Sequence, residues 1–276
     1  VREGFKGTVY ATQATCDLAK IMLPDSAHIQ ESDAEMLNRK GQRRGDAPVE
    51  PLYGINDALD ALKQFSPVPY DQELRLSDNL RVFFRDAGHI LGSAILEVYV
   101  KENGKETKLV FSGDLGQPDQ PLLRDPTIIH GADFVITEST YGDRLHQLYD
   151  KETALIEIVN ETMDRGGNLI IPSFAVGRTQ EIIYLLTDLV RRKRLSPLKI
   201  YVDSPMANTA TRITREHPEL LDDETRELIE WLRVHPDKVK IEFVADVERS
   251  KALNEIRSNA IIISASGMCE AGRIKY

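Results

Sequence analysis

The sequence has almost no cysteine. Cys16 and Cys269 are the only two in 276 residues and have no CxxC spacing, so neither a disulfide framework nor a thiolate zinc site is suggested. A reducing, cytoplasmic setting is expected. The chain also lacks an apolar run of 18 residues and any signal-peptide pattern, which predicts no membrane partner. Positive charge is not in excess. The 35 Lys and Arg stand against 44 Asp and Glu, a formal net charge of −9, which argues against a general basic coat for nucleic acid but leaves room for a local groove.

What is present is enough chain for two ordinary domains. The chain begins at Val1 and enters a strand-like GTVYATQAT, residues 7–15, almost at once. It closes on GMCEAGRIKY, residues 267–276, which reads into a further helix. Both ends predict an internal segment of a longer protein.

The first half is rich in sequential strands. After the first strand come a helix around residues 16–24, a polar stretch over 30–51 expected as a surface loop, and a short helix near 56–65. Four strand-like runs follow: LRVFFRD, SAILEVYV, TKLVFSGD and FVITES. Between the second and third, KENGKET supplies the Asn-Gly of a tight hairpin. Beyond TYGDR, residues 140–144, strand and helix alternate: a helix over 150–165, then NLIIPSF, TQEIIYLLTDLVRRKR, KIYVDS, MANTATRITREH, DDETRELIEWLR, KIEFVA, SKALNEI and AIIISAS. Such alternation predicts an α/β domain with a mainly parallel sheet, its ligand-facing loops at the carboxyl ends of the strands. The domains are expected to join near residue 145, as residues 1–145 and 146–276.

Three strand ends carry the candidate chemistry. His89 lies in the glycine-flanked bend of DAGHILGSA, residues 86–94, and Asp114 ends an apolar strand in FSGDLG, residues 111–116. Imidazole nitrogen and carboxylate oxygen suit zinc, yet one His and one Asp 25 residues apart are equally two ordinary turns. Glu138 closes a third strand, FVITE. Three successive strands ending on His89, Asp114 and Glu138 would present all three at one sheet edge, where active sites are built.

Six motifs in order, AGHILGSA, SGDLG, TESTYGDR, IPSFAVGRTQE, YVDSPMA and SGMCEAGR, resemble those of the metallo-β-lactamase fold nucleases that carry a β-CASP domain, in the RNA-processing branch that includes the polyadenylation endonuclease. The resemblance covers nearly the whole chain. It implies part of a metallo-β-lactamase αββα sandwich followed by a Rossmann-like β-CASP domain, truncated at its C-terminal end. It implies that His89 is a ligand to one of two zinc ions, that Asp114 bridges both, and that Glu138 orients a histidine acting as general acid. The implied activity is zinc-dependent hydrolysis of single-stranded RNA, as an endonuclease with 5′ exonuclease activity as well, leaving a 5′-phosphate and a 3′-hydroxyl; homodimerisation follows by analogy with the family.

In the second domain, Arg178 at the start of a helix could pair with a phosphate or with Glu181. Ser173, Ser204, Ser266 and Gly267 are candidate phosphate contacts at strand ends, with packing turns as the rival reading. His28, His130, His217 and His235 match no ligand motif, and His217 and His235 each precede a proline, as turn residues do; His146 is kept as a cleft residue. The family's HxHxDH motif is absent from these residues. Of seven expected ligands the chain holds two, so weak or absent zinc binding and negligible cleavage are expected of it alone. A non-catalytic RNA-binding or scaffold paralogue of the same family is the competing reading.

Overall fold

The computed structural model describes residues 1–42, 45–145, 150–270 and 272–275. Strand β1 (Val9–Thr12) runs into helix α1 (Gln13–Gln42), and after α2 (Ile55–Leu62) the chain returns in β2 (Phe65–Val68), parallel to β1. Strands β3 (Leu74–Ser77), β4 (Leu80–Asp86), β5 (Ala94–Glu102), β6 (Lys105–Phe111) and β7 (Phe134–Ile136) form a five-stranded sheet in chain order. Its pairs are antiparallel except β6–β7, which is parallel. The hairpin between β5 and β6 turns on Asn103 and Gly104, both at positive φ (50° and 79°), the backbone that a two-residue turn of the primed type requires.

Alternation along β4 and β5 decides what covers the sheet. Val82, Phe84, Leu96 and Val98 face β2, where Val68 completes their cluster. The β1–β2 pair therefore stacks on the five-stranded sheet with α1 outside it, as in a partial αββα sandwich. Beyond that pair, Phe111, Phe134 and Ile136 lie exposed on the same face. On the opposite face Glu97 is 4% exposed and accepts from Arg85 Nε at 2.6 Å, with Lys108 Nζ on its other oxygen. Burial pushes the Glu97 carboxyl up, but the hydrogen bonds from Lys108 and Arg85 outweigh it and hold the group below the usual carboxylate range.

The second half alternates as expected: α3 (Lys151–Asp164), β8 (Leu169–Pro172), α4 (Arg178–Arg191), β9 (Leu198–Asp203), α5 (Pro205–Glu216), α6 (Asp223–Val234), β10 (Val239–Phe243), α7 (Val247–Ala252) and β11 (Ile261–Ser264). The four strands are parallel in the order β10-β9-β11-β8. Asp150, Ser204 and Asp222 cap α3, α5 and α6 by accepting from backbone amides of the first turn, satisfying donors that a helix start leaves free. Val159, Leu186, Leu189, Ile200, Val202, Ile261 and Ile263 fill the space between helices and sheet.

The polar stretch expected as a loop over 30–51 is in large part helix, since α1 continues to Gln42. Docking overrides composition there. Asn38 exchanges two hydrogen bonds with Val49, Tyr53 donates to Ser26, and Glu31 accepts from Ile55 N, so the 49–55 segment pins the helix. Strands β2 and β3 escaped the sequence reading because Pro67 interrupts one and turn residues crowd the other. Among the described residues no helix is long and apolar enough to cross a membrane.

Helices α1 and α5 join the two halves. Ala14 and Leu18 meet Ala210 and Ile213 in one cluster that takes in Leu91 and Leu220. At its edge His217, 8% exposed, lies between two carboxylates: Nε2 is 3.1 Å from Asp17 Oδ2 and Nδ1 is 3.0 Å from Glu219 Oε1. The ring bridges an acid of α1 and an acid of the turn after α5. The turn residue of the sequence reading is thus a clamp between the halves.

Two stability predictions follow from these buried charges. Glu97→Ala strands Arg85 and Lys108 and should cost about 3 kcal/mol. The contribution of Glu97 is present above the ordinary carboxylate range and is lost as pH falls through its depressed value, so urea melts should show the wild-type excess shrinking in acid; an unchanged excess would contradict it. His217→Ala removes the ring that bridges Asp17 and Glu219 and should cost about 1–2 kcal/mol, with Asp17→Asn in the same background adding less than it does alone.

Candidate functional site

Close backbone approach, rather than side-chain packing, brings the first two candidates together. Gly116 N donates to Ala87 O at 2.8 Å, and a Cβ on Gly116 would sit 1.9 Å from Gly88 O. Only glycine allows the two loops to touch there. Gly88 itself has φ 60° and receives the Asp86 carboxylate on its amide at 2.9 Å. At the far end of the bend Ser93 Oγ accepts from the amides of His89 and Ile90. The bend is thus held at both ends, and His89 Nε2 lies 3.9 Å from Asp114 Oδ2.

Glu138 reaches the same edge from β7. Its amide donates to Ser112 Oγ at 3.2 Å, and its Oε1 accepts from Leu115 N at 2.5 Å. The Leu115 amide, then Thr140 and the nearby His89, hold the Glu138 carboxyl below the usual range. His89 and Asp114 are exposed at 42% and 73% of their side chains, leaving their ligand atoms open to solvent. Imidazole and carboxylate are donors of the kind zinc takes. They are too few to close a two-metal site, and among the described residues no group of three or more His, Cys, Asp or Glu could hold a metal ion. His146 lies outside the described residues.

The parallel sheet turns its carboxyl edge to this place. Val176 packs in the cluster that contains Leu91, and a Cβ on Gly177 would lie 3.4 Å from Ile90, so α4 begins beside the His89 bend. Arg178 there is 60% exposed and pairs with Glu181 at 3.3 Å. Ser173, Ser204 and Ser266 follow β8, β9 and β11 and share one edge of the sheet. The Ser173 hydroxyl is buried and bonded to Thr179, and that of Ser204 caps α5. Gly267 packs against Phe174.

Asp203 and Arg273 were missed in the sequence. Asp203, 5% exposed, accepts from Ser250 Oγ at 2.7 Å and from Arg273 Nη1 at 2.8 Å, and Arg273 also donates to the carbonyls of Val244 and Ala245. The pair ties the C-terminal segment across the strand ends. Both residues stand inside quoted motifs, YVDSPMA and SGMCEAGR, yet nothing in either motif names its partner.

A stacked pair of sheets with a His/Asp/Glu edge, joined to a parallel-sheet α/β half that faces it, defines the metallo-β-lactamase/β-CASP arrangement. Residues 179–276 match the Beta-Casp domain family. It is 37% identical, over its whole length, to Ribonuclease TTHA0252 of Thermus thermophilus, covering 58% of that protein. It is 29% identical over 97% of its length to the RNase J-like protein of Methanocaldococcus jannaschii, covering 57% of it, and 31% identical over 97% to transcription termination factor FttA of Pyrococcus abyssi, covering 39%. The chain thus spans less than two thirds of the curated relatives it matches.

Glu138→Ala should free the Leu115 amide, so hydrogen exchange at Leu115 should quicken while exchange in β5 stays unchanged. Equal exchange in both proteins would contradict the bond.

Proposed function

We propose that the protein of which this chain forms part hydrolyses RNA phosphodiester bonds with zinc, cutting single-stranded RNA internally and also from 5′ ends. In this reading residues 1–145 contribute part of a metallo-β-lactamase domain and residues 146–276 the β-CASP domain. The observation that carries it is the convergence of His89, Asp114 and Glu138 on one sheet edge, faced by the start of α4. The names of the relatives, ribonuclease and RNase J-like protein, favour RNA as the substrate.

His89 and Asp114 supply two ligands of the right kind. The remaining ligands of a two-zinc site would come from residues outside these 276, as would cover for the exposed Phe111, Phe134 and Ile136. No chemical step is therefore assigned to metal in this chain. Its own residues position. Glu138 commits Oε1 to the Leu115 amide, which fixes the loop bearing Asp114, and Thr140 also bonds the carboxyl, so the group is held in place to orient a proton donor. Arg178, at the amino end of α4, can exchange Glu181 for a phosphate, and that helix end favours an anion. RNA would lie along the carboxyl edge of the parallel sheet, past Ser266 and Gly267.

The test is cleavage of single-stranded RNA by the complete protein, with and without chelator, beside Asp114→Ala. Chelator-sensitive cleavage reduced at least about 100-fold by the substitution is expected. A complete protein that binds RNA without cutting it would favour the scaffold reading. The isolated chain should cleave negligibly, and robust zinc-dependent turnover by it would overturn the account of its missing ligands.

A further inference from the structure

Helices α4, α5 and α6 and the edge strand β10 line a cavity of about 320 Å³ that takes in none of His89, Asp114, Glu138 and Arg178. Small-molecule sites occupy about 300–1,000 Å³ and are mostly apolar with a few placed polar groups. Ile183, Leu221, Leu228, Ile229, Leu232 and Phe243 give this one its carbon wall.

Two observations point to an occupant. Thr225 lines the cavity and is 2% exposed, yet its Oγ1 has no hydrogen-bond partner. A buried hydroxyl is normally satisfied, and a polar atom in the cavity would satisfy this one. Arg215, exposed at the rim, makes no ion pair among the described residues, whereas Arg233 nearby is held by Glu230 at 2.9 Å.

The charge around the cavity is polarised. Past Tyr184 and Leu221 it borders a cleft in which carboxylates outnumber cations, with Asp188 paired to Arg191 and Arg192 and with Asp222 and Glu224 near Arg226. Past Arg215 and Phe243 it borders a hollow along β10 that carries Lys199, Lys240 and Glu242, the last paired with Arg249. An anionic head is repelled at the first end and attracted at the second.

We propose that this cavity binds a small amphipathic carboxylate: the head group pairs with Arg215, the aliphatic body lies among the leucine and isoleucine side chains, and a hydroxyl on that body meets Thr225 Oγ1. The site is built by the parallel-sheet half with Leu122 of the other half at its wall, and it does not depend on the proposed nuclease reading.

The 276-residue chain allows a direct test with octanoate, 8-hydroxyoctanoate and 1-octanol as probes, read by thermal shift and by the fluorescence of Trp231, the single tryptophan, which lies on α6. Both acids should bind saturably, the hydroxy acid more tightly and the alcohol more weakly. Arg215→Gln, at an exposed position, should weaken the acids about tenfold and leave the alcohol unchanged. Thr225→Val should erase the difference between the two acids, and Leu228→Trp should abolish binding by filling the cavity. Absence of saturable binding at millimolar probe, alcohol bound as tightly as acid, or binding indifferent to Arg215→Gln would each overturn the proposal.

Discussion

The packing of α1 against α5 is the contact on which the arrangement depends. It is made by small side chains, Ala14 and Ala210, that let the helices approach, with Leu18, Ile213 and Leu220 around them and the His217 clamp at the margin. Leu91 and Val176 belong to the same cluster. The bend that carries His89 and the loop that starts α4 are therefore fixed by one piece of core. Loss of that core would separate the His89 edge from the sheet edge opposite it. Burial of apolar surface contributes roughly 25 cal/mol per Å², and here it also sets geometry.

Within each half a different device does the local positioning. On the strand-rich side two loops meet backbone to backbone at Gly88 and Gly116, and fixed carboxylates and hydroxyls (Asp86, Ser93, Glu138, Ser112) hold their ends. On the parallel side the hydroxyls near the strand ends are spent on turns and caps, and the buried Asp203–Arg273 pair fastens the last segment over them. The open groups are thus few: the exposed imidazole of His89, the carboxylate of Asp114 and the guanidinium of Arg178.

Much of this was legible in the sequence. LRVFFRD and SAILEVYV read as strands, Asn103-Gly104 gave the hairpin, and the strand–helix alternation after residue 150 gave the parallel sheet. His89, Asp114 and Glu138 follow β4, β6 and β7, whose ends share one edge because β5 runs back between the first two and β7 lies parallel to β6. The extension of α1 did not show, because its polar residues are helical only through contacts with residues 49–55 that composition cannot express. The His217 clamp was hidden for a related reason: its partner Asp17 is 200 residues away. Asp203 and Arg273 are likewise 70 residues apart. Partners of buried charges are tertiary facts, while periodicity and turn chemistry are local ones.

The central claim is that the His89 bend, the Asp114 loop and the Glu138 loop form one metal-facing edge opposite the start of α4. Paramagnetic cobalt(II) added to the isotope-labelled chain tests it most directly, since even a weakly held ion broadens the amides around it. Broadening confined to residues 87–92, 113–116, 138–140 and 176–178, and abolished by His89→Ala, is the predicted result. Broadening centred elsewhere, or left in place by that substitution, would contradict the account.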